Sequence, residues 1–242
     1  MRRGTGLLAA LLLATAPAVA AERVDLELVL LADASGSIDA AEIAFQRAGW
    51  AAAITATEIL DAIAVGYERK VAVTYVEWGA ATSQAVIVPW TVIDGPESAA
   101  AFAALLRTRP RGAFGANAIG SAIAFAQGEI ETNAFDGQRR IIDLAGDSAN
   151  SWSGLPIAVA RQRALDADIT INGLALSCPA AGCTGRPAAY DLEAAFARTI
   201  IGGPASFVVT ADGETSFADA ARRKLLLEIA GKIPAGPSLA AA

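Results

Sequence analysis

The chain has 242 residues, 54% of them hydrophobic and 18% charged, with a formal net charge of −6, two Cys and no His. The missing His excludes Ser-His-Asp and Cys-His nucleophile activation, imidazole acid–base chemistry and every His-ligated zinc or iron site. Two Cys cannot build a four-thiolate site, and 25 acids against 19 bases leave no basic footprint for nucleic acid, so any metal must be a hard cation held by oxygen: Mg²⁺, Ca²⁺ or Mn²⁺.

Residues 1–20 read as a secretory leader. Arg2 and Arg3 are followed by an apolar run from Leu7 to Ala16, and Ala18-Val19-Ala20 is a small-x-small cleavage pattern. Its removal takes two positive charges and no acid, moving the net charge from −6 to −8. The expectation is an exported, periplasmic or secreted bacterial protein of one domain, 21–242, with no membrane span in the mature chain. Val24 to Ala32 reads as a strand whose unbroken apolar run suits a central parallel position, covered by helices on both faces. Asp39 to Ile63 reads as one helix with Asp39 as N-cap. Lys70 to Gly79 and Gln84 to Trp90 are strands joined too closely for anything but an antiparallel hairpin, and Pro89 suits an edge.

Glu97 to Leu106 and Ala118 to Ile130 read as helices separated by the Arg109-Pro110-Arg111-Gly112 loop. Strands over Arg140–Ala145, Ile169–Leu176 and Ala205–Thr210 alternate with helices over Leu155–Ala167, Leu192–Ile200 and Thr215–Ile233. Cys178 and Cys183 flank a Pro-Ala-Ala-Gly turn, and in an oxidising compartment they are expected to form a local disulfide. The whole is a doubly wound α/β domain with a six-stranded, mostly parallel sheet and one antiparallel edge strand.

Ligands of such sheets bind beyond the carboxyl ends of the strands. Asp33-Ala34-Ser35-Gly36-Ser37 follows the first strand and Gly146-Asp147-Ser148-Ala149-Asn150 the fourth, while Gly115-Ala116-Asn117-Ala118-Ile119-Gly120 opens a helix between them. Asp33 and Asp147 with the hydroxyls of Ser35 and Ser37 make an oxygen set suited to Mg²⁺, which uses one or two carboxylates and keeps waters.

At these residues the chain resembles the von Willebrand factor A-like domains, whose D-x-S-x-S signature forms a metal-ion-dependent adhesion site. The resemblance spans about residues 24–232, and Tyr75-Val76-Glu77-Trp78-Gly79 and the Ile201–Val209 stretch are similar to an uncharacterised bacterial branch of exported domains. It implies a three-layer Rossmann-like sandwich, with Asp33, Ser35, Ser37, Asp147 and Asn117 as metal ligands. Asn117 stands where the family has Thr, and its amide oxygen can ligate although its NH₂ cannot. The resemblance also implies a non-enzymatic module whose open metal position accepts an Asp or Glu carboxylate of a protein partner.

Three catalytic readings compete. Ser148 in Gly-Asp-Ser suggests an esterase but lacks a His base, and none of the Lys residues stands at a recognisable spacing for a Ser–Lys dyad. A metal-assisted hydrolase or phosphatase using Asp33 and Asp147 is the alternative function. Glu77 and Asp143, acids within apolar strands, are expected to be hydrogen-bonded or at a sheet margin, or else to support Asp33 or Ser35. Trp50, Trp78 and Trp90 are expected in the core, and Trp152 on the binding rim.

Overall fold

The computed structural model describes residues 20–177, 190–212 and 217–231. Residues 1–19 of the expected leader, the expected Cys178–Cys183 disulfide and the C-terminal residues 232–242 lie outside the described residues. The central sheet has six strands in the order β4 (Gln84–Ile93), β3 (Val71–Trp78), β2 (Glu27–Asp33), β6 (Arg140–Gly146), β7 (Thr170–Leu176) and β8 (Val208–Ala211). All neighbours are parallel except β3 and β4, the hairpin at the edge.

Every residue of β2 is buried, as expected of a strand between two helical layers. Its alternate side chains feed different cores. Leu28, Leu30 and Ala32 join α1 (Ala40–Ile54), α2 (Thr57–Ala64), α3 (Pro96–Thr108) and α7 (Phe217–Ala230) through Trp50, Ile59, Phe102 and Leu225. Val29 and Leu31 join α4 (Ile119–Glu131), α5 (Ile157–Asp166) and α6 (Leu192–Thr199) through Ile123, Ala160 and Phe196. Trp50 and Trp78 are buried, and Trp90 is half-buried with its indole N–H donating to the Glu129 carbonyl.

Three expectations need correction. The first strand is two: β1 (Glu22–Val24) pairs with a short β5 (Phe135–Gly137) outside the main sheet, and the chain breaks at Asp25. There the Asp25 carboxylate accepts the Glu68 backbone N–H, drawing the chain out of a continuous ladder. β5 itself has no counterpart in the sequence reading, since three residues ending in Asp-Gly carry no strand pattern. The long first helix is also two. Thr55 caps α1, its hydroxyl donating back to the carbonyls of Ala51 and Ala52, and Ala56 is extended. The apolar period hides this break because Ile54, Ile59 and Ile63 pack into the same core.

A polar cluster lies inside the sandwich. The Lys224 ammonium, fully buried, pairs with Asp143 at 2.9 Å and Glu228 at 2.5 Å, and Asn172 donates to Glu228 at 2.9 Å. Burial and the neighbouring Glu228 hold the Asp143 carboxyl well above the usual range, against the opposing charge and hydrogen bond of Lys224. Asp143 therefore ties α7 to the sheet and does not touch the Asp33 loop.

Candidate metal centre

β2 and β6 are neighbours, so Asp33 and Asp147 leave adjacent strands at the same sheet edge. Asp33 is fully buried. Its Oδ1 accepts the Ser35 N–H at 2.7 Å, which folds Asp33–Ser35 into a tight turn, while Oδ2 is buried without a hydrogen-bond partner. The hydroxyls of Ser35 and Ser37 meet at 3.2 Å; Ser35 is buried and Ser37 is exposed, so the turn opens to solvent at Gly36-Ser37. The Asp147 carboxylate faces the Ser37 hydroxyl, and its charge acts on Asp33.

The electrostatics follow from this crowding. Burial, then the nearby Asp147 carboxylate, raise the Asp33 pKa to about 7, against opposing hydrogen bonding from the Ser35 backbone and hydroxyl and from the Asp147 backbone. Burial also raises that of Asp147. A glycine next to Asp147 is part of the geometry, since a Cβ at Gly146 would stand 3.4 Å from Asp33 Oδ2 and from the Trp78 ring.

Asn117 shares this edge through the backbone. The Gly36 N–H donates to the Gly115 carbonyl at 2.8 Å, and the Trp152 N–H donates to the Asn117 carbonyl at 2.8 Å, so one loop is tied to both others. Gly115 has φ +98°, a conformation open to glycine, and a Cβ there would meet Ala80. Trp152 is 73% exposed beside Asn117. All five expected ligands thus lie on three mutually bonded loops, with direct side-chain contacts joining Asp33, Ser35, Ser37 and Asp147.

Among the described residues no three His, Cys, Asp or Glu side chains come together, and this site has only two carboxylates. The remaining donors are hydroxyls and an amide, an all-oxygen set that fits a hard cation and leaves coordination positions for water or a partner. An orphaned carboxylate oxygen beside a second carboxylate is the arrangement a divalent cation would neutralise.

The competing residues fall elsewhere. Ser148 Oγ accepts the Asn150 N–H, Lys70 pairs with Glu22 and Lys224 is in the core, so neither of these Lys reaches Ser148. One residue not singled out from the sequence does reach the site: Arg111 donates to the carbonyls of Ala34, Ser35 and Ile38, and Arg47, likewise not singled out, pairs with Glu77 behind it. These contacts join positions 30 to 77 residues apart and leave no local pattern.

A family model described as "Protein of unknown function (DUF1194)" matches residues 23–233. No curated protein matches the chain. Among solved structures, proximal thread matrix protein 1 from the mussel byssus has a TM-score of 0.57 at 17% identity, covering 87% of this chain and 48% of that one. This chain therefore spans about half of its length, and another structure of the same protein has a zinc-occupied MIDAS motif. BatB from Bacteroides thetaiotaomicron gives 0.53 at 17% identity, covering 85% of this chain and 98% of that one. The vWF domain of the pilus tip protein Mfa5 from Porphyromonas gingivalis gives 0.54 at 10% identity, covering 91% and 99% respectively. The shared property is the fold, which is von Willebrand factor A-like.

Proposed function

We propose that this chain, which belongs to the DUF1194 family, is an exported binding module that holds a divalent cation at Asp33, Ser35, Ser37, Asn117 and Asp147. Mg²⁺ or Mn²⁺ suits the set best, and an open position on the ion takes an Asp or Glu carboxylate of a protein partner. The observation that carries this reading is the buried, unpartnered Asp33 Oδ2, set among the Ser35 and Ser37 hydroxyls and Asp147. The zinc-occupied MIDAS motif of the mussel matrix protein and the pilus-tip setting of the Mfa5 domain lend support by fold. When bound, the cation supplies the positive charge that attracts the partner's carboxylate. The chain's own residues hold that charge in place: Asp33 from the end of β2, the two hydroxyls from the turn, and Asp147 from the end of β6.

Export follows from the leader-like residues 1–20, and among the described residues no helix is long and apolar enough to cross a membrane. A binding role suits a chain without His, whose Ser148 has neither Lys70 nor Lys224 as a base. The test is capture of a partner from the exported fraction by immobilised mature protein, with Mn²⁺ or with EDTA. Capture that requires Mn²⁺ and is lost in Asp33→Ala supports bridging through the metal. Capture by Asp33→Ala after its metal binding is gone rules bridging out.

A further inference from the structure

We infer that Arg111 is a positioning residue of the metal centre: its guanidinium sets the shape of the Asp33–Ser37 turn, and the buried Arg47–Glu77 pair fixes Arg111 from behind. This rests on the metal reading above. Arg111 Nη2 donates to the Ala34 carbonyl and, at 3.0 Å, to that of Ser35; Nη1 donates to Ile38 at 3.0 Å and Nε to Ala113 at 2.9 Å. Two carbonyls of the turn that carries three of the five candidate ligands, and that of Ile38 just after it, therefore converge on one side chain. The guanidinium also lies 4.8 Å from the centre of the Phe114 ring, which limits its freedom to leave.

The backbone on either side of Arg111 is immobilised by one ion pair. Arg47, nine-tenths or more buried, donates Nε (2.9 Å) and Nη2 (2.6 Å) to Glu77 Oε1. Its remaining donors go to the carbonyls of Leu106 (3.5 Å), Arg109 and Pro110 (3.1 Å). Glu77 Oε2 accepts the Gly112 N–H at 2.8 Å. Residues 109, 110 and 112 thus answer to one buried pair, and Arg111 projects from between them onto the turn. Glu77 precedes Trp78, the partner of Asp33 in the β2–β3 register, so pair and turn share a strand end.

Charge alone would give Arg111 the opposite effect, since a cation beside a metal site repels the metal. Geometry requires the fork. The carbonyls of Ala34, Ser35 and Ile38 are shared between two nitrogens while the third holds Ala113, and a Lys ammonium, a single point with three donors, cannot span them. Loss of the fork lets the turn relax and spreads the Ser35 and Ser37 hydroxyls away from the Asp33 carboxylate. Removal of groups that orient metal ligands commonly weakens metal binding about 10–100-fold.

The experiment is Mn²⁺ calorimetry, with the electron paramagnetic resonance spectrum of bound Mn²⁺, on the mature chain and its Arg111→Lys, Arg111→Met and Glu77→Gln variants. Urea midpoints in EDTA report folding separately, and Arg107→Ala serves as a basic-residue control. The expected result is Mn²⁺ binding weakened about 10–100-fold in both Arg111 variants and less in Glu77→Gln, with a broadened Mn²⁺ spectrum and Arg107→Ala unchanged. Glu77→Gln keeps the test open should the Arg111 variants not fold, because a purely structural pair would lower its urea midpoint and leave its Mn²⁺ affinity alone. Unchanged or tighter Mn²⁺ binding by folded Arg111→Lys and Arg111→Met overturns the inference while leaving the metal reading intact. A wild-type chain that binds no Mn²⁺ overturns both.

Discussion

Asp33→Asn should stabilise the metal-free protein in mildly alkaline solution while destroying its metal site. The wild-type carboxyl titrates at about 7 in the folded chain against 3.8 ordinarily. Between those values the folded protein keeps a proton that the unfolded chain has released, so stability falls as pH rises, by about 1.4 kcal/mol per pH unit. By about pH 8 the accumulated loss is on the order of 4 kcal/mol, and at about pH 5.5 roughly half of it has appeared. The amide introduced by Asp33→Asn carries no charge and keeps an oxygen for the Ser35 N–H, but its NH₂ takes the place of the unpartnered Oδ2 and forfeits about 1–3 kcal/mol. The net expectation in EDTA is the variant ahead by about 1–3 kcal/mol near pH 8, with the difference shrinking or reversing near pH 5.5. Saturating Mn²⁺ should invert the order at the higher pH, since a ligand at about 1,000 times its Kd adds about 4.1 kcal/mol to the wild type alone, more than the variant's lead. Urea unfolding followed by Trp fluorescence, at both pH values with EDTA or Mn²⁺, measures each quantity. A variant less stable than wild type near pH 8 in EDTA, or a difference that ignores pH, would refute the electrostatic reasoning.

Other outcomes follow from the same geometry. Lys224→Met leaves Asp143 and Glu228 buried without their cation and should cost about 3–5 kcal/mol in urea unfolding, more as pH rises, because burial disfavours the charged form of Asp143. Gly120→Ala puts a Cβ 2.0 Å from the Leu155 carbonyl oxygen, so α4 must shift; about 1–3 kcal/mol of stability should go, and Mn²⁺ binding should weaken because Asn117 sits just before that helix. The intact mass of the protein recovered from the exported fraction should correspond to a chain beginning at Ala21, and a full-length precursor there would exclude cleavage.

What could be read from the sequence was local. Asp33, Ser35 and Ser37 fall within five residues after an apolar run whose shortness and unbroken burial suit a central parallel strand, so the candidate site and the strand end that carries it are legible together. Asp147 is legible for the same reason one strand over. The break at Thr55 escaped because amphipathic periodicity reports which face is buried, and α1 and α2 bury theirs in one core. Glu77 was legible as a buried acid in need of partners, but Arg47 and Arg111 escaped because their partners are chosen by the fold: the charges of a buried pair 30 residues apart carry no spacing rule. Asp143 is partnered, as an acid within an apolar strand has to be, but the partner, Lys224 from α7, lies 81 residues away and carries no spacing signal, so only the alternative of support for the Asp33 loop falls away.

The central claim is a divalent cation at the end of β2 and β6. Calorimetric titration of the chelator-stripped mature chain with Mn²⁺ and Mg²⁺ tests it most directly. The expected result is one saturable site per chain that tightens as pH rises through about 7, where Asp33 loses its proton, and that vanishes in Asp33→Asn. Heat indistinguishable from dilution with both ions, or a wild-type isotherm reproduced by Asp33→Asn, would contradict it.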